Sequence, residues 1–170
     1  RSTGDKYELI FVNDGSKDAS FDILKELAGR DHDVRVICFS RNFGHEAAML
    51  AGIDCAKGEL LICMDADLQH PVEYIPKMLE RFENGSDVIS MVRTKNQDAG
   101  ILKNITSEAF YSIINMMTET QLEKNASDFF GISERVADIL RHDYRERVRF
   151  VRGYIQGVGF NKDKIEYEAA

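Results

Sequence analysis

No apolar run in this 170-residue chain approaches the ~18 residues that a membrane-spanning helix needs. Nothing in it therefore reads as a bilayer span. It also lacks a basic excess. Its 22 Lys and Arg stand against 29 Asp and Glu, for a net charge of −7. A general nucleic-acid binder usually carries a basic face, so that class is disfavoured. Cysteine is scarce: Cys38, Cys55 and Cys63, with no CxxC. Cys38 and Cys63 sit inside the apolar runs VICF and LICM and read as buried free thiols of a reducing compartment. No targeting segment is visible, so the sequons at Asn84, Asn104 and Asn125 carry no weight. Several signatures fail. His45-Glu46 opens like a zinc-protease motif, but Met49 breaks HExxH. Gly153, Gly157 and Gly159 do not spell GxGxxG, and no Walker loop occurs. There is no internal repeat and no low-complexity tract.

What is present suits one globular domain over residues 1–170. The hydrophobic fraction is 44% and the charged fraction 30%. Residues 7–12 (YELIFV) form a short apolar run that ends at the turn formers Asn13-Asp14-Gly15-Ser16. Phe21, Leu24, Leu27 and Ala28 then recur at helical spacing. Residues 34–39 read as a second strand, 44–56 as a small-residue helix stopped by Gly58, and 60–64 as a third strand. That third strand is nearly all apolar, as expected for burial on both faces. Pro71 precedes a helix carrying Tyr74, Ile75, Met78, Leu79 and Phe82, which Gly85 ends, and residues 87–92 form a fourth strand. Strand alternating with helix over 90 residues predicts an α/β fold on a parallel sheet. Beyond it, the spacing predicts an amphipathic helix over 101–118 and a loop over 118–127. A strand over 129–132, a helix over 134–141, and a strand pair over 154–160 and 164–167 complete the expectation.

Two acidic clusters follow predicted strands. Asp65-Ala66-Asp67-Leu68-Gln69-His70-Pro71 comes directly after the strand over 60–64. In a parallel sheet, ligands bind beyond the carboxyl ends of strands. Asp65 and Asp67 are two apart, so in extended backbone they point to one side. Two close carboxylates repel unless a cation lies between them, and Mg2+ or Mn2+ prefers oxygen ligands such as these and the Gln69 amide. The bland alternative is an acidic turn capping the next helix. For Asn13-Asp14-Gly15-Ser16 it is a strand-to-helix turn with Ser16 as the N-cap. Together the clusters can line one crevice. His70 reads as a group behind the metal or a surface histidine.

The segments FVNDGSKD, SRNFGHEAAMLAGIDCAKGE, MDADLQHPVEYIPKML and SDFFGISERV resemble family-two glycosyltransferases of the GT-A fold. The likeness is to the polyprenyl-phosphate branch, with dolichyl-phosphate mannose synthases and undecaprenyl-phosphate glucosyltransferases, and runs over about residues 7–168. It implies a mostly parallel sheet flanked by helices. It also implies metal-assisted transfer of a hexose, with inversion, from a UDP- or GDP-linked sugar to a polyprenyl phosphate. The catalytic set it implies is Asp65, Asp67 and Asp128. Asp14, Gly15, Arg41, Asn42 and Asp65 would meet the donor, and Asp67, Gln69 and Asp65 the Mg2+ or Mn2+. Arg93, Lys103 and Arg149 would meet phosphate, with Arg147 and Arg152 as further candidates near the acceptor. The acceptor phosphate is largely dianionic at neutral pH, its second pKa being about 6, so no strong base is needed. A saccharide acceptor would need one, and Asp128 would be the candidate. A non-catalytic nucleotide-binding domain of the same fold is the alternative from another class. The family usually begins with one more strand and continues into hydrophobic helices. The chain is therefore expected to be a fragment that lacks its first strand. Its full-length protein would lie at the inner face of a membrane in the cytoplasm, and the helix over 101–118 is a candidate for lying on lipid. Oligomeric state is open.

Overall fold

The computed structural model describes residues 6–94, 126–144 and 150–168. The helix expected over 101–118 lies outside them, as do Lys103, Arg147 and Arg149. Residues 126–127, expected in a loop, open a strand instead. The chain forms two compact units. One holds residues 1–61 and 133–151, the other 62–132 and 152–170.

In the first unit, β1 (Leu9–Asn13) pairs in parallel with β2 (Val34–Cys38), from Leu9 against Val34 to Asn13 against Cys38. The crossover between them is α1 (Ser20–Arg30). Its helical spacing is as expected, yet it buries no residue: Phe21, Ile23 and Leu27 are exposed. The main packing helix is α2 (His45–Cys55), which buries Leu50 and Ile53. Gly52 faces β1, where a Cβ would meet Val12 at an ordinary contact distance of 3.6 Å. It packs on α4 (Glu134–His142), whose Val136, Ala137 and Leu140 are fully buried. Burial of Val136 or Leu140 is worth about 1.5–3 kcal/mol each. Arg141 closes this pair. Its guanidinium donates to the carbonyls of Ile53 (3.0 and 2.8 Å) and Ala56 (2.8 Å), at the end of α2 where carbonyls lack helical partners.

The chain passes to the second unit within β3 (Leu60–Cys63). The sheet there has the order β3-β5-β4-β6. Its members β4 (Val88–Arg93) and β6 (Lys162–Tyr167) run parallel, while β5 (Ala126–Ser133) runs antiparallel to β4. This second sheet is thus mixed, whereas the β1-β2 pair is parallel. Only Leu61 of β3 is buried, so its apolar run does not mark burial on both faces; β4, buried from Val88 to Met91, is the sheltered strand. After a short 3-10 turn (Val72–Tyr74), α3 (Ile75–Glu83) carries Pro76 in its first turn, where a missing N–H costs nothing, and packs Met78 inward.

The strand expected over 154–160 is a helix, α5 (Val151–Gly157). Buried apolar side chains fall at Val151 and Ile155 within it and at Val158 just beyond, at spacings of four and three, which is helical rather than alternating. The expected strand over 164–167 does form, as part of β6. No described helix is long and apolar enough to cross a membrane.

Candidate active site

The structure gathers the predicted residues in two groups, one in each unit. The first is a clasp between the loops that follow β1 and β2. Asn13 is buried, and its Oδ1 accepts from the Ser16 amide at 2.9 Å, so Ser16 is held within the turn and α1 starts later, after Ala19. Near that start, hydrogen bonds from Ser20 hold the Asp18 carboxyl below its usual range. Gly15 has φ of 71°, and a Cβ there would lie 2.4 Å from the Arg41 carbonyl carbon, so only glycine lets the loops touch. Asp14 completes the clasp. One of its oxygens accepts from the Phe43 amide at 2.7 Å, the other from the Gly44 amide at 2.9 Å. Arg41 lies 4.1 Å over the Phe43 ring and donates to the Asn42 carbonyl. Asp14, Gly15, Arg41 and Asn42 are therefore brought together, with Asp14 bound to loop backbone. Sequence reasoning did not foresee the Phe43 and Gly44 contacts, which join residues 29 and 30 positions apart.

The second group surrounds the turn after β3. Asp65 and Asp128 come within 4.8 Å of one another, carboxylate oxygen to carboxylate oxygen. Arg152 holds Asp128 through Nη2 (2.6 Å) and Nε (3.1 Å), both to Oδ1. Arg152, a candidate for the acceptor phosphate, is thus an ion-pair partner of the carboxylate. No local signal marks that pair, because 24 residues separate its members. Asp67 is exposed, and its Oδ1 accepts from the Gln69 amide at 3.0 Å. The Gln69 Oε1 accepts from Arg93 Nη2 at 3.3 Å. Between them Leu68 adopts φ of 66° with 87% of its surface exposed, an uncommon conformation for a branched residue. His70 is buried rather than at the surface. Beneath the turn, Cys63 is half-buried as a residue, yet burial of its thiol, with the Asp128 charge adding, pushes its pKa up to about 12. Cys38, expected inside, is exposed.

These carboxylates suit a hard divalent cation. Asp65 and Asp128 bring oxygens together at a separation where two negative charges repel, and Asp67 Oδ1 and Gln69 Oε1 each have a lone pair beyond the hydrogen bond shown.

Residues 1–139 match glycosyl transferase family 2, and the chain belongs to that family. It is 41% identical over 165 residues to the uncharacterized glycosyltransferase YkcC of Bacillus subtilis, covering 97% of this chain and 51% of that protein. It is 39% identical over 163 residues to the bactoprenol glucosyl transferase of Shigella phage SfV, covering 96% and 53%. The chain thus spans about half the length of the curated relatives it matches. The fold is GT-A. Mannosyl-3-phosphoglycerate synthase from Rubrobacter xylanophilus superposes with a TM-score of 0.57 at 12% identity, over 95% of this chain and 55% of that one. Glucosyl-3-phosphoglycerate synthase from Mycobacterium tuberculosis, solved with Mn2+, UDP-glucose and phosphoglyceric acid, superposes with a TM-score of 0.53 at 15% identity, over 96% and 60%.

Proposed function

We propose that this chain is the catalytic part of an enzyme that moves a hexose from a nucleotide diphosphate sugar to a polyprenyl phosphate, at the cytoplasmic face of a membrane. The observation that carries the proposal is the convergence of Asp65 and Asp128 beside the turn that holds Asp67. The acceptor class is suggested by the relatives named as bactoprenol glucosyl transferases. Mn2+ is the cation to try first, because a protein of the same fold was solved with it.

Asp65, Asp67 and Gln69 would hold the cation, which when bound would offset the charge of the leaving diphosphate. The remaining work belongs to the chain's own groups. Arg152 engages Asp128 through two donors, which leaves the carboxylate placed to orient the sugar. That suits a phosphate acceptor, already a nucleophile at neutral pH. A saccharide hydroxyl would need a base, and a carboxylate engaged by an arginine is a poor one. Arg93, tied to Gln69, supplies a positive group beside the same turn. Asp14, Gly15, Arg41 and Asn42 form the nucleotide side, and Lys103 and Arg149 would add positive charge for phosphate.

The test is calorimetric titration of UDP and GDP with and without Mn2+, followed by transfer of labelled hexose to undecaprenyl phosphate by the full-length protein. Metal-dependent binding of one nucleotide, lost in Asp67→Ala, is expected. Unchanged metal dependence in that variant would remove Asp67 from the site. Binding without transfer would favour a nucleotide-binding domain.

A further inference from the structure

We propose that His70 is a positioning residue, whose ring ties the Asp65 turn to the strand that carries Asp128 and so sets the spacing of the two carboxylates. Its catalytic meaning rests on the function proposed above; the contacts themselves do not. The turn between β3 and Pro71 includes Leu68 in a left-handed conformation, so it needs an anchor beyond its own backbone. His70 is that anchor. Its Nδ1 accepts from the Asp65 amide at 2.9 Å. The ring's other nitrogen, Nε2, is turned to the same residue's side chain. That Nε2 lies 3.9 Å from Asp65 Oδ2.

The rest of the ring faces the core. It is 6% exposed and stacks on Phe129, with centroids 5.2 Å apart and planes 20° apart. Tyr167 meets it edge-on at 6.4 Å, and Phe129 and Tyr167 contact each other at 5.9 Å. Phe129 directly follows Asp128 in β5. One edge of the imidazole thus holds the main chain of Asp65, while its face rests on the neighbour of Asp128. A phenyl ring could supply the stacking, and an amide could supply the acceptor. Histidine does both in one plane.

Two substitutions in the full-length protein separate these roles. His70→Phe keeps the ring and removes the acceptor. His70→Asn keeps an acceptor oxygen near the Nδ1 position and removes the ring. The first readout is hydrogen exchange of the Asp65 amide, which depends on no functional reading. It should speed up about tenfold in His70→Phe, the scale of one lost buried hydrogen bond, and by much less in His70→Asn. The second is Mn2+-dependent affinity for the nucleotide that the wild type binds. It should weaken about tenfold in His70→Phe, with partial rescue in His70→Asn. Wild-type exchange in His70→Phe would reduce His70 to core filling and overturn the proposal. So would faster exchange with unchanged metal-dependent binding, because the spacing would then not matter. If His70→Phe does not fold, His70→Asn decides: retained protection and binding support the acceptor role, and loss of both overturns it. A wild type that binds no nucleotide would sink the proposed function and with it the catalytic meaning, while the exchange rates still report on the contact.

Discussion

Replacing Asp14 by alanine tests how the loops after β1 and β2 are held. In the native fold its carboxylate accepts the Phe43 and Gly44 amides at 2.7 and 2.9 Å. Hydrogen bonds to a charged group are worth about 1.5–3 kcal/mol each when sheltered, and less where water can replace the partner. The Phe43 contact is exposed and the Gly44 contact part-buried. The sum expected for Asp14→Ala is therefore about 2 kcal/mol rather than the full value of two buried bonds. For a chain of this size that lowers the melting midpoint by roughly 4–8 °C. Asp14→Asn retains one acceptor but turns an amide NH2 toward a backbone N–H, so it should lose about half as much. The assay is thermal unfolding at neutral pH, with amide exchange at Phe43 and Gly44. Exchange should accelerate at those two amides in Asp14→Ala. An unchanged midpoint together with unchanged exchange would show that the loops hold without the carboxylate, and that the clasp is not what shapes this side of the fold.

Arg152→Gln removes the cation from Asp128, a carboxylate 19% exposed whose oxygen lies within 4.8 Å of one on Asp65. The expected loss is about 1–3 kcal/mol of stability at neutral pH, and equal unfolding midpoints for variant and wild type would contradict the ion pair's role. Cysteine labelling tests the interior below the carboxylates. At pH 8 Cys63, with a pKa near 12 against 9.0 ordinarily, holds about a thousandth of the usual thiolate, whereas Cys38 is exposed. Iodoacetamide followed by mass spectrometry should mark Cys38 and spare Cys63, and equal rates would refute the assignment. The same shift carries a sign for stability. Above pH 9 the unfolded chain releases its thiol proton first, so the folded state loses ground as pH rises from about 9 to 12.

The alternation of apolar runs with turn formers was enough to locate β1, β2, β3 and β4 and the helices among them, because period and turn chemistry are local properties. The clusters Asn13-Asp14-Gly15-Ser16 and Asp65-Ala66-Asp67 were legible for the same reason, and so was the family, carried by contiguous segments. Tertiary structure decided the rest. Residues 154–160, with three glycines nearby and branched apolar side chains, read as a strand; burial of Val151, Ile155 and Val158 made 151–157 a helix. The antiparallel insertion of β5 beside β4 joins residues about forty apart, which no local pattern encodes. Asp128 and Arg152, Asp14 and the Phe43–Gly44 amides, and His70 beneath Asp65 and against Phe129 are likewise matched only on folding. The sequence alone determined which residues could carry charge at strand ends. Which partner each charge took was decided by packing, because a hydrogen bond or ion pair depends on distance in space and not on separation along the chain.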